Sequence, residues 1–199
     1  RALLVIAVCV ASCVGFEALF NVLVKKEQTV GDFSAAVTGL LLALNLRADV
    51  PIWQCVIGSL FAILVVKCFF GGLGCNFANP AIVGRIVLFL SFSKTMTAWT
   101  FVDGVSTATP LSVMANGGDL PSMMNMFLGV KGGCLGEVSI LALLIGFVYL
   151  LITKVINPGI PLCYIGTVAL LTFLFPMGND RFMWMGSQIL SGGLMLGAI

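Results

Sequence analysis

The sequence predicts an all-α integral membrane protein. Of its 199 residues, 60% are hydrophobic and only 9% are charged, and the mean hydropathy is +1.14. A soluble domain carries roughly 25% charged residues, so a chain this poor in charge is expected to face lipid. Apolar runs recur along its whole length, and several of them are long enough to cross a bilayer as helices.

Four apolar runs reach or approach the length of a membrane span, which is about 20 residues for a bilayer core of roughly 30 Å. They are Ala2–Val24, 51–70, 138–152 with its flanks at 135 and 155, and 182–199. The last run is apolar to its final residue, and the chain begins on Arg1. We therefore expect the chain to be incomplete at both ends.

Three further apolar runs are too short to cross a bilayer. The run 33–46 has 14 residues, 161–175 is similar, and 82–92 is shorter and contains Arg85. Short or Gly/Pro-interrupted helices in corresponding halves are typical of inverted repeats, whose broken helices meet at a buried site. The sequence thus predicts one membrane domain built as an inverted repeat of transmembrane and broken half-helices.

A weak internal similarity supports the repeat. Residues 38–42 followed by 71–74 resemble residues 166–171 followed by 192–194. The predicted parts are a first repeat, an intervening loop and a second repeat, at 1–92, 93–134 and 135–199.

The orientation of the chain follows from lysines in short loops, which favour the cytoplasmic side. Lys25, Lys26 and Lys154 are the best markers of that side. Three passes after Lys25 then deliver the chain to the outer side, and a fourth returns it before Lys154. The loop around Asp103 is therefore predicted to be extracytoplasmic, although Lys94 and Lys131 lie in the same connection and count against this.

The composition excludes several kinds of site. The chain has no histidine, which removes Ser-His-Asp, Cys-His and HExxH chemistry. None of the seven cysteines forms a CxxC pair, and we interpret Cys9 and Cys13, which share a helix face, as small packing residues and expect no metal site. The net charge of +2, without a basic stripe, gives no sign of nucleic-acid binding.

A Gly- and Asn-rich segment follows the second long run. Its polar or flexible members are Gly71, Gly72, Asn76, Asn79 and Arg85. Glycines allow backbone geometries and close approaches that other residues forbid, and an arginine in an apolar stretch costs about 2.5–3.5 kcal/mol unless it is paired or hydrated. Arg85 is either a partner for an anion or a residue that ties helices together. Cys75, within the turn, is the cysteine most suited to a reactivity test.

The loop 103–111 concentrates hydroxyls and one carboxylate where the chain leaves the bilayer. It contains Asp103, Ser106, Thr107 and Thr109, and Pro110 biases Thr109 toward extended backbone. An accessible hydroxyl on non-helical backbone suits covalent attachment of a cofactor. The alternative is that the Ser and Thr side chains cap a helix.

These segments together resemble the NqrB/RnfD family of flavinylated membrane redox subunits, and the resemblance covers nearly the whole chain. The matching residues are Phe70-Gly71-Gly72-Leu73-Gly74, Asn79-Pro80-Ala81, Gly84-Arg85, Thr97, Trp99, Asp103-Gly104, Ser106, Ala108-Thr109-Pro110-Leu111, Gly136-Glu137 and the runs 37–44, 165–170 and 190–194. The Nqr branch usually has Ser-Gly-Ala-Thr at its flavin site. Thr107 replaces that glycine here and Pro110-Leu111 follows, which favours the Rnf branch.

The resemblance implies FMN bound covalently to Thr109 through a phosphoester. Asp103, Ser106, Thr107, Ala108 and the polar residues of the 71–85 segment are then expected around the cofactor, and riboflavin is a possible second flavin. The implied fold is related to urea transporters.

The implied function is electron transfer within an ion-translocating ferredoxin–NAD oxidoreductase (Rnf) complex, coupled to Na⁺ or H⁺ movement. Such a subunit is not catalytic alone. Its partners would be the other membrane and peripheral subunits, including a second flavinylated one, in a bacterial or archaeal cytoplasmic membrane. The alternative is a passive channel or solute transporter of the same architecture without flavin.

Two carboxylates lie within predicted spans. Glu17 and Glu137 are candidates for an ion path, since acids in membrane segments are usually functional. Each lies close to the end of its span, so simple interfacial placement is an equal alternative.

Overall fold

The computed structural model describes residues 1–97, 99–100, 106–107, 122–129, 131–176, 180–191 and 194–198. Except for two strands of two residues each, the regular secondary structure of these residues is helical. The chain forms two compact units, Arg1–Ala98 and Trp99–Ile199.

The first unit contains five helices: α1 (Ala2–Val24), α2 (Ser34–Leu44), α3 (Ile52–Leu60, continued by π-helical turns over Phe61–Cys68), α4 (Pro80–Ser91) and α5 (Ser93–Thr97). A 3-10 turn, Val30–Asp32, precedes α2. Helix α4 begins where the Asn79 side chain accepts hydrogen bonds from the backbone N–H groups of Ala81 and Ile82, as an N-cap residue does.

Helix α1 shows how the unit is built. Its buried residues recur every fourth position, Val5, Cys9, Cys13, Glu17 and Asn21, so they form one stripe along the helix. The large apolar residues of the helix that are exposed lie off this stripe. A helix with polar and small residues inside and apolar residues outside is typical of a bundle in lipid.

Glycine allows the closest helix contacts in this unit. A Cβ at Gly39 of α2 would lie 2.7 Å from the Cα of Val10 in α1, and a Cβ at Gly84 of α4 would lie 2.8 Å from the Gly58 carbonyl oxygen in α3. Real Cβ atoms do not approach backbone this closely, so the packing of α1 on α2 and of α3 on α4 requires glycine at these two positions.

The second unit contains the strands β1 (Trp99–Thr100) and β2 (Ser106–Thr107) and the helices α6 (Met123–Leu128), α7 (Ile140–Ile152), α8 (Gly159–Leu174), α9 (Arg181–Ser191) and α10 (Leu194–Ala198). The strands pair antiparallel, with Trp99 opposite Thr107 and Thr100 opposite Ser106. Helices α8 and α9 pack together, and the rings of Phe173 and Phe182 are 5.3 Å apart.

The helix lengths confirm part of the expected spans. Among the described residues, Ala2–Val24 is the helix both long and apolar enough to cross a bilayer. The predicted short runs form the short helices α2, α4 and α8. The runs 51–70 and 138–152 give helices shorter than a full span, α3 with its π-helical end and α7.

Of the predicted span 182–199, the described residues lie in two helices, α9 (Arg181–Ser191) and α10 (Leu194–Ala198). Residues 192, 193 and 199 of this run lie outside the described residues.

Candidate polar site in the first unit

Part of the predicted cofactor site lies outside the described residues, namely Asp103, Ala108 and Thr109. For Ser106 and Thr107 the structure describes the backbone, and both residues lie in β2. Their pairing with β1 joins the two ends of the connection 101–105.

The predicted Gly-rich turn follows the end of α3. Gly71 and Gly72 have φ angles of 115° and 101°, a region that residues with a Cβ rarely adopt. The Gly72 N–H donates to the Lys67 carbonyl at 2.9 Å. The two glycines therefore reverse the chain directly beside the last turn of α3.

The polar residues of the 71–85 segment have separate partners. Arg85 donates through Nη1 to Oδ1 of Asn45, at the end of α2, over 2.9 Å, which matches the interpretation of Arg85 as a residue that ties helices. Asn79 caps α4. The Oδ1 atom of Asn76 is buried and has no hydrogen-bond partner among the described residues, so Asn76 keeps unused hydrogen-bonding capacity.

Sequence reasoning missed a deeply buried ion pair of the unit, which joins α1 to α3. The Lys67 Nζ lies 2.7 Å from Oε1 of Glu17, and the two side chains are 2% and 3% exposed. The same Nζ donates to the Ser34 hydroxyl at 2.5 Å. Burying two charges costs free energy unless they are paired and hydrogen-bonded, and this geometry meets both conditions for Lys67.

A series of side-chain hydrogen bonds, through a hydroxyl and then an amide, extends from Glu17 toward the surface. The Thr29 hydroxyl donates to Glu17 Oε1 at 2.8 Å, and Asn21 donates to the Thr29 hydroxyl at 3.0 Å. The Ser34 N–H and hydroxyl donate to Asp32 and hold the pKa of that exposed carboxyl below its usual range. We call Glu17, Lys67, Ser34, Thr29 and Asn21 the polar cluster.

The second oxygen of Glu17 is left unsatisfied. Its Oε2 atom is buried and has no hydrogen-bond partner among the described residues. A cavity of about 100 Å³ adjoins the cluster, and its lining includes Glu17, Asn21, Asp32, Gly71 and Gly72. The Gly-rich turn identified from the sequence thus borders the buried carboxylate.

The other candidate carboxylate, Glu137, closes a turn in the second unit. Its Oε1 accepts a hydrogen bond from the Cys134 N–H at 3.0 Å, and its own N–H donates to the Cys134 carbonyl at 3.1 Å. Nearby, Lys131 is 3% exposed and donates to the Leu190 carbonyl at the end of α9 over 2.6 Å. Burial lowers the pKa of the Lys131 ammonium, and the charge of Glu137 opposes this effect.

Comparison with known proteins gives one consistent family. The model of the NQR2, RnfD, RnfE family matches residues 1–199. The chain is 46% identical to the D subunit of the Na⁺-translocating ferredoxin:NAD⁺ oxidoreductase complex of Acetobacterium woodii, over 99% of this chain and 62% of that protein. It is 39% identical to the D subunit of the proton-translocating ferredoxin:NAD⁺ oxidoreductase complex of Clostridium ljungdahlii, over 87% of this chain and 57% of that protein.

A second group of relatives comes from another kind of complex. The B subunit of the Na⁺-translocating NADH-quinone reductase of Azotobacter vinelandii is 36% identical, over 92% of this chain and 48% of that protein. The chain thus spans about half to three fifths of the length of these curated relatives.

Proposed function

Because the chain belongs to the NQR2, RnfD, RnfE family, we propose that it is the membrane electron-transfer subunit of an ion-translocating ferredoxin:NAD⁺ oxidoreductase complex. The 46% identity to the D subunit of Acetobacterium woodii supports this kind of complex, because the NADH-quinone reductase B subunits of Ectopseudomonas mendocina and Azotobacter vinelandii are 39% and 36% identical. The names of the first two relatives include one Na⁺ and one proton pump. The proposal therefore covers either Na⁺ or H⁺ as the coupling ion. The proposed location is the cytoplasmic membrane. The proposed partners are the other subunits of the complex, including a second flavinylated subunit.

The proposed cofactor is FMN, joined to the Thr109 oxygen through a phosphoester. The observation that carries this assignment is the extended, paired backbone of Ser106 and Thr107, two residues before Thr109. A modifying enzyme needs a hydroxyl on non-helical backbone, and Pro110 disfavours a helix at Thr109. Bound FMN would supply the redox chemistry, while this chain would hold it and set its surroundings. Asp103, Ser106, Thr107 and Ala108 stay its proposed neighbours.

A second, non-covalent flavin such as riboflavin is also part of the proposal. The Gly-rich turn at Gly71 and Gly72 is its proposed border, and the buried Oδ1 of Asn76 is a polar group free to contact it. Arg85, which already holds Asn45, would support such a site through α2, and Asn79 would do so by fixing the start of α4.

The proposed fold is an inverted repeat related to urea transporters. Two features support it. Each of the two units contains helices too short for a full span, and each has a glycine pair after a helix, at 71–72 and at 192–193. Broken helices of this kind commonly surround a site near the bilayer midplane.

The proposed sidedness puts the flavin loop outside the cell. Within the first unit, Ser34 at the start of α2 contacts Lys67, and the next residue, Cys68, lines the same cavity as Lys26. Thr95 of α5 instead contacts Arg47, beyond the far end of α2. The chain therefore leaves this unit at the end opposite Lys25, and Lys25 and Lys26 favour the cytoplasmic side. A cysteine introduced at Ser112 should react with a membrane-impermeant reagent in intact cells; protection there would reverse the orientation.

The proposed ion-path carboxylate is Glu17 rather than Glu137. Glu17 has a free buried oxygen beside a cavity, and its other oxygen is held by Lys67 and Thr29. Glu137 has its Oε1 engaged in closing a turn. A translocated Na⁺ or proton would bind the free Oε2 of Glu17. When no ion is bound, the positive charge of Lys67 would balance the negative charge of the carboxylate.

The decisive experiment is detection of flavin on Thr109 in the complete complex, produced together with a flavin transferase. The wild-type subunit should fluoresce in a denaturing gel, and the Thr109 peptide should carry the mass of FMN. Thr109→Val should abolish both signals, and Thr153→Val, at a threonine that follows α7 outside the flavin loop, is the control that should keep them. A dark wild-type band with an unmodified Thr109 peptide would support the channel or transporter alternative instead.

A further inference from the structure

An exposed carboxylate is linked to the buried ion pair through a single hydroxyl. Asp32, at the end of the 3-10 turn before α2, accepts hydrogen bonds at Oδ1 from the Ser34 N–H at 2.8 Å and from the Ser34 hydroxyl at 2.5 Å. The Ser34 oxygen in turn accepts a hydrogen bond from Lys67 Nζ at 2.5 Å. Because Asp32 is exposed and Lys67 is buried, these bonds connect the surface of the first unit to its interior.

The direction of each bond follows from the hydrogens that serine carries. A serine hydroxyl has one hydrogen, and Ser34 donates it to Asp32, so the Ser34 oxygen acts as an acceptor toward Lys67. Asp32 also holds the backbone N–H of Ser34. A hydroxyl that donates to a carboxylate is polarised, and its oxygen becomes a better acceptor. Asp32 therefore orients the Ser34 oxygen and strengthens its bond to the ammonium.

The ammonium of Lys67, which extends from α3, is held by one residue of α1 and one of α2. Its Nζ lies 2.7 Å from Oε1 of Glu17 and 2.5 Å from the hydroxyl oxygen of Ser34. These contacts use two of its three N–H donors. Oε2 of Glu17 is buried and has no hydrogen-bond partner among the described residues, so the third donor does not reach it. The ammonium thus binds one oxygen of the carboxylate and leaves the other open.

We propose that Asp32 is a positioning residue for the ion path, which keeps the Lys67 ammonium away from Oε2 of Glu17 by acting through Ser34. The inference rests on the proposed function, since Oε2 is the oxygen proposed to bind the translocated ion. Asp32 acts on that ion only through Ser34 and Lys67. Without the Ser34 acceptor, the ammonium binds both oxygens of the carboxylate, and the ion must displace it from Oε2.

The test compares variants of the complete complex that separate the hydrogen bond from the charge. D32A removes the acceptor together with its negative charge, and S34A removes the hydroxyl without any change of charge. D32N and S34T are the conservative variants, because each keeps an oxygen that can continue the series of bonds. E27Q is the matched control: Glu27 is exposed and lines the same cavity as Asp32, so this variant removes a nearby carboxylate charge.

The first measurement is the Na⁺ dependence of ferredoxin:NAD⁺ oxidoreduction in membrane vesicles. In D32A and S34A the half-saturating Na⁺ concentration should rise about tenfold, the change expected when one hydrogen bond to a charged group must break before the ion binds. The maximal rate should stay at the wild-type value, because saturating Na⁺ displaces the ammonium. D32N and S34T should retain most of the wild-type affinity, and E27Q should match the wild type.

The second measurement is the infrared spectrum of the Glu17 carboxylate, isolated as the difference between each protein and the same protein with Glu17→Gln. In the structure Lys67 and Thr29 both donate to Oε1. A carboxylate held at one oxygen has a wider separation between its antisymmetric and symmetric stretches than one held at both. The separation should therefore narrow in D32A and S34A and stay at the wild-type value in D32N, S34T and E27Q.

An unchanged separation of the stretches in D32A and S34A would overturn the inference. A lower maximal rate with an unchanged half-saturating Na⁺ concentration would also overturn it, because that result indicates a purely structural role, as would an effect of E27Q equal to that of D32A.

Failure of the proposed function gives a different result in the same samples. A wild-type complex without ferredoxin:NAD⁺ oxidoreductase activity would refute the proposed function, and a rate independent of Na⁺ would assign it a proton as the coupling ion. In both cases the infrared spectra alone decide whether Asp32 positions the ammonium.

Discussion

The buried pair of Glu17 and Lys67 allows a quantitative test of the polar cluster. At the observed 2.7 Å, Coulomb's law with an effective dielectric constant of about 20 gives roughly 6 kcal/mol of attraction. Desolvation of the two charges offsets much of this value. The net result is that the intact pair stabilises the fold little, whereas one partner without the other is costly.

We therefore predict a strong non-additivity between the two positions. Lys67→Met leaves the Glu17 carboxylate with Thr29 as its remaining donor and should lower the free energy of unfolding by about 3–5 kcal/mol. Glu17→Gln alone should also be destabilising, because the buried Lys67 ammonium then loses its carboxylate partner. The Ser34 hydroxyl and the new amide, which are both neutral, would remain as its hydrogen-bond partners. The double variant should recover to within about 1 kcal/mol of the wild type.

The assay is equilibrium unfolding of the detergent-solubilised chain, followed by circular dichroism, for the four members of the cycle. Lys26→Met is the control, because Lys26 lines the same cavity but is exposed. A coupling free energy below about 0.5 kcal/mol, the usual error of such cycles, would refute the reasoning. So would a double variant as unstable as the sum of the single variants.

Three further predictions test other parts of the structure. Gly39→Ala should destabilise the chain by about 1–3 kcal/mol, as overpacking does, whereas Gly15→Ala, within α1 and with open space around it, should be at least as stable as the wild type, because alanine is the better helix former. An impermeant maleimide should label the exposed Cys75 from the cytoplasmic side alone, while Cys163 should stay unlabelled within the lipid; labelling of Cys75 from outside would reverse the topology. Because burial lowers the pKa of Lys131 below 10.5, the unfolded state binds the proton more tightly, and the wild type should gain stability relative to Lys131→Met as pH rises toward 10.5. A pH-independent difference between these two proteins would contradict that pKa shift.

The sequence predicted the helices well because apolar length alone identifies them. Ala2–Val24 forms a helix with the predicted bounds, and the three short runs form short helices. Of the run 182–199, residues 182–191 and 194–198 are described, and both parts are helical as the apolar composition indicates.

The charged cluster could not be predicted from local sequence. Lys67 lies near the end of a run, where a lysine can extend to the membrane surface, and its partner Glu17 is 50 residues away. Only the packing of α3 against α1 brings them together. The same limit applies to Arg85, whose partner Asn45 is 40 residues away, and to Arg47, which no motif identified.

Helix α1 explains why amphipathic patterning fails here while composition succeeds. In a soluble helix the apolar stripe faces the core, but the buried stripe of α1 includes Glu17 and Asn21, and its exposed positions include Leu19 and Leu23. Since lipid is as apolar as leucine, the contacts between helices are selected by small size and hydrogen bonding instead. The cysteines at 9 and 13 and the glycine at 39 are thus the residues from which the packing of α1 could have been inferred. The same rule explains why the most polar residue of the stripe, Glu17, lies inside the unit, where it lines a cavity instead of facing lipid.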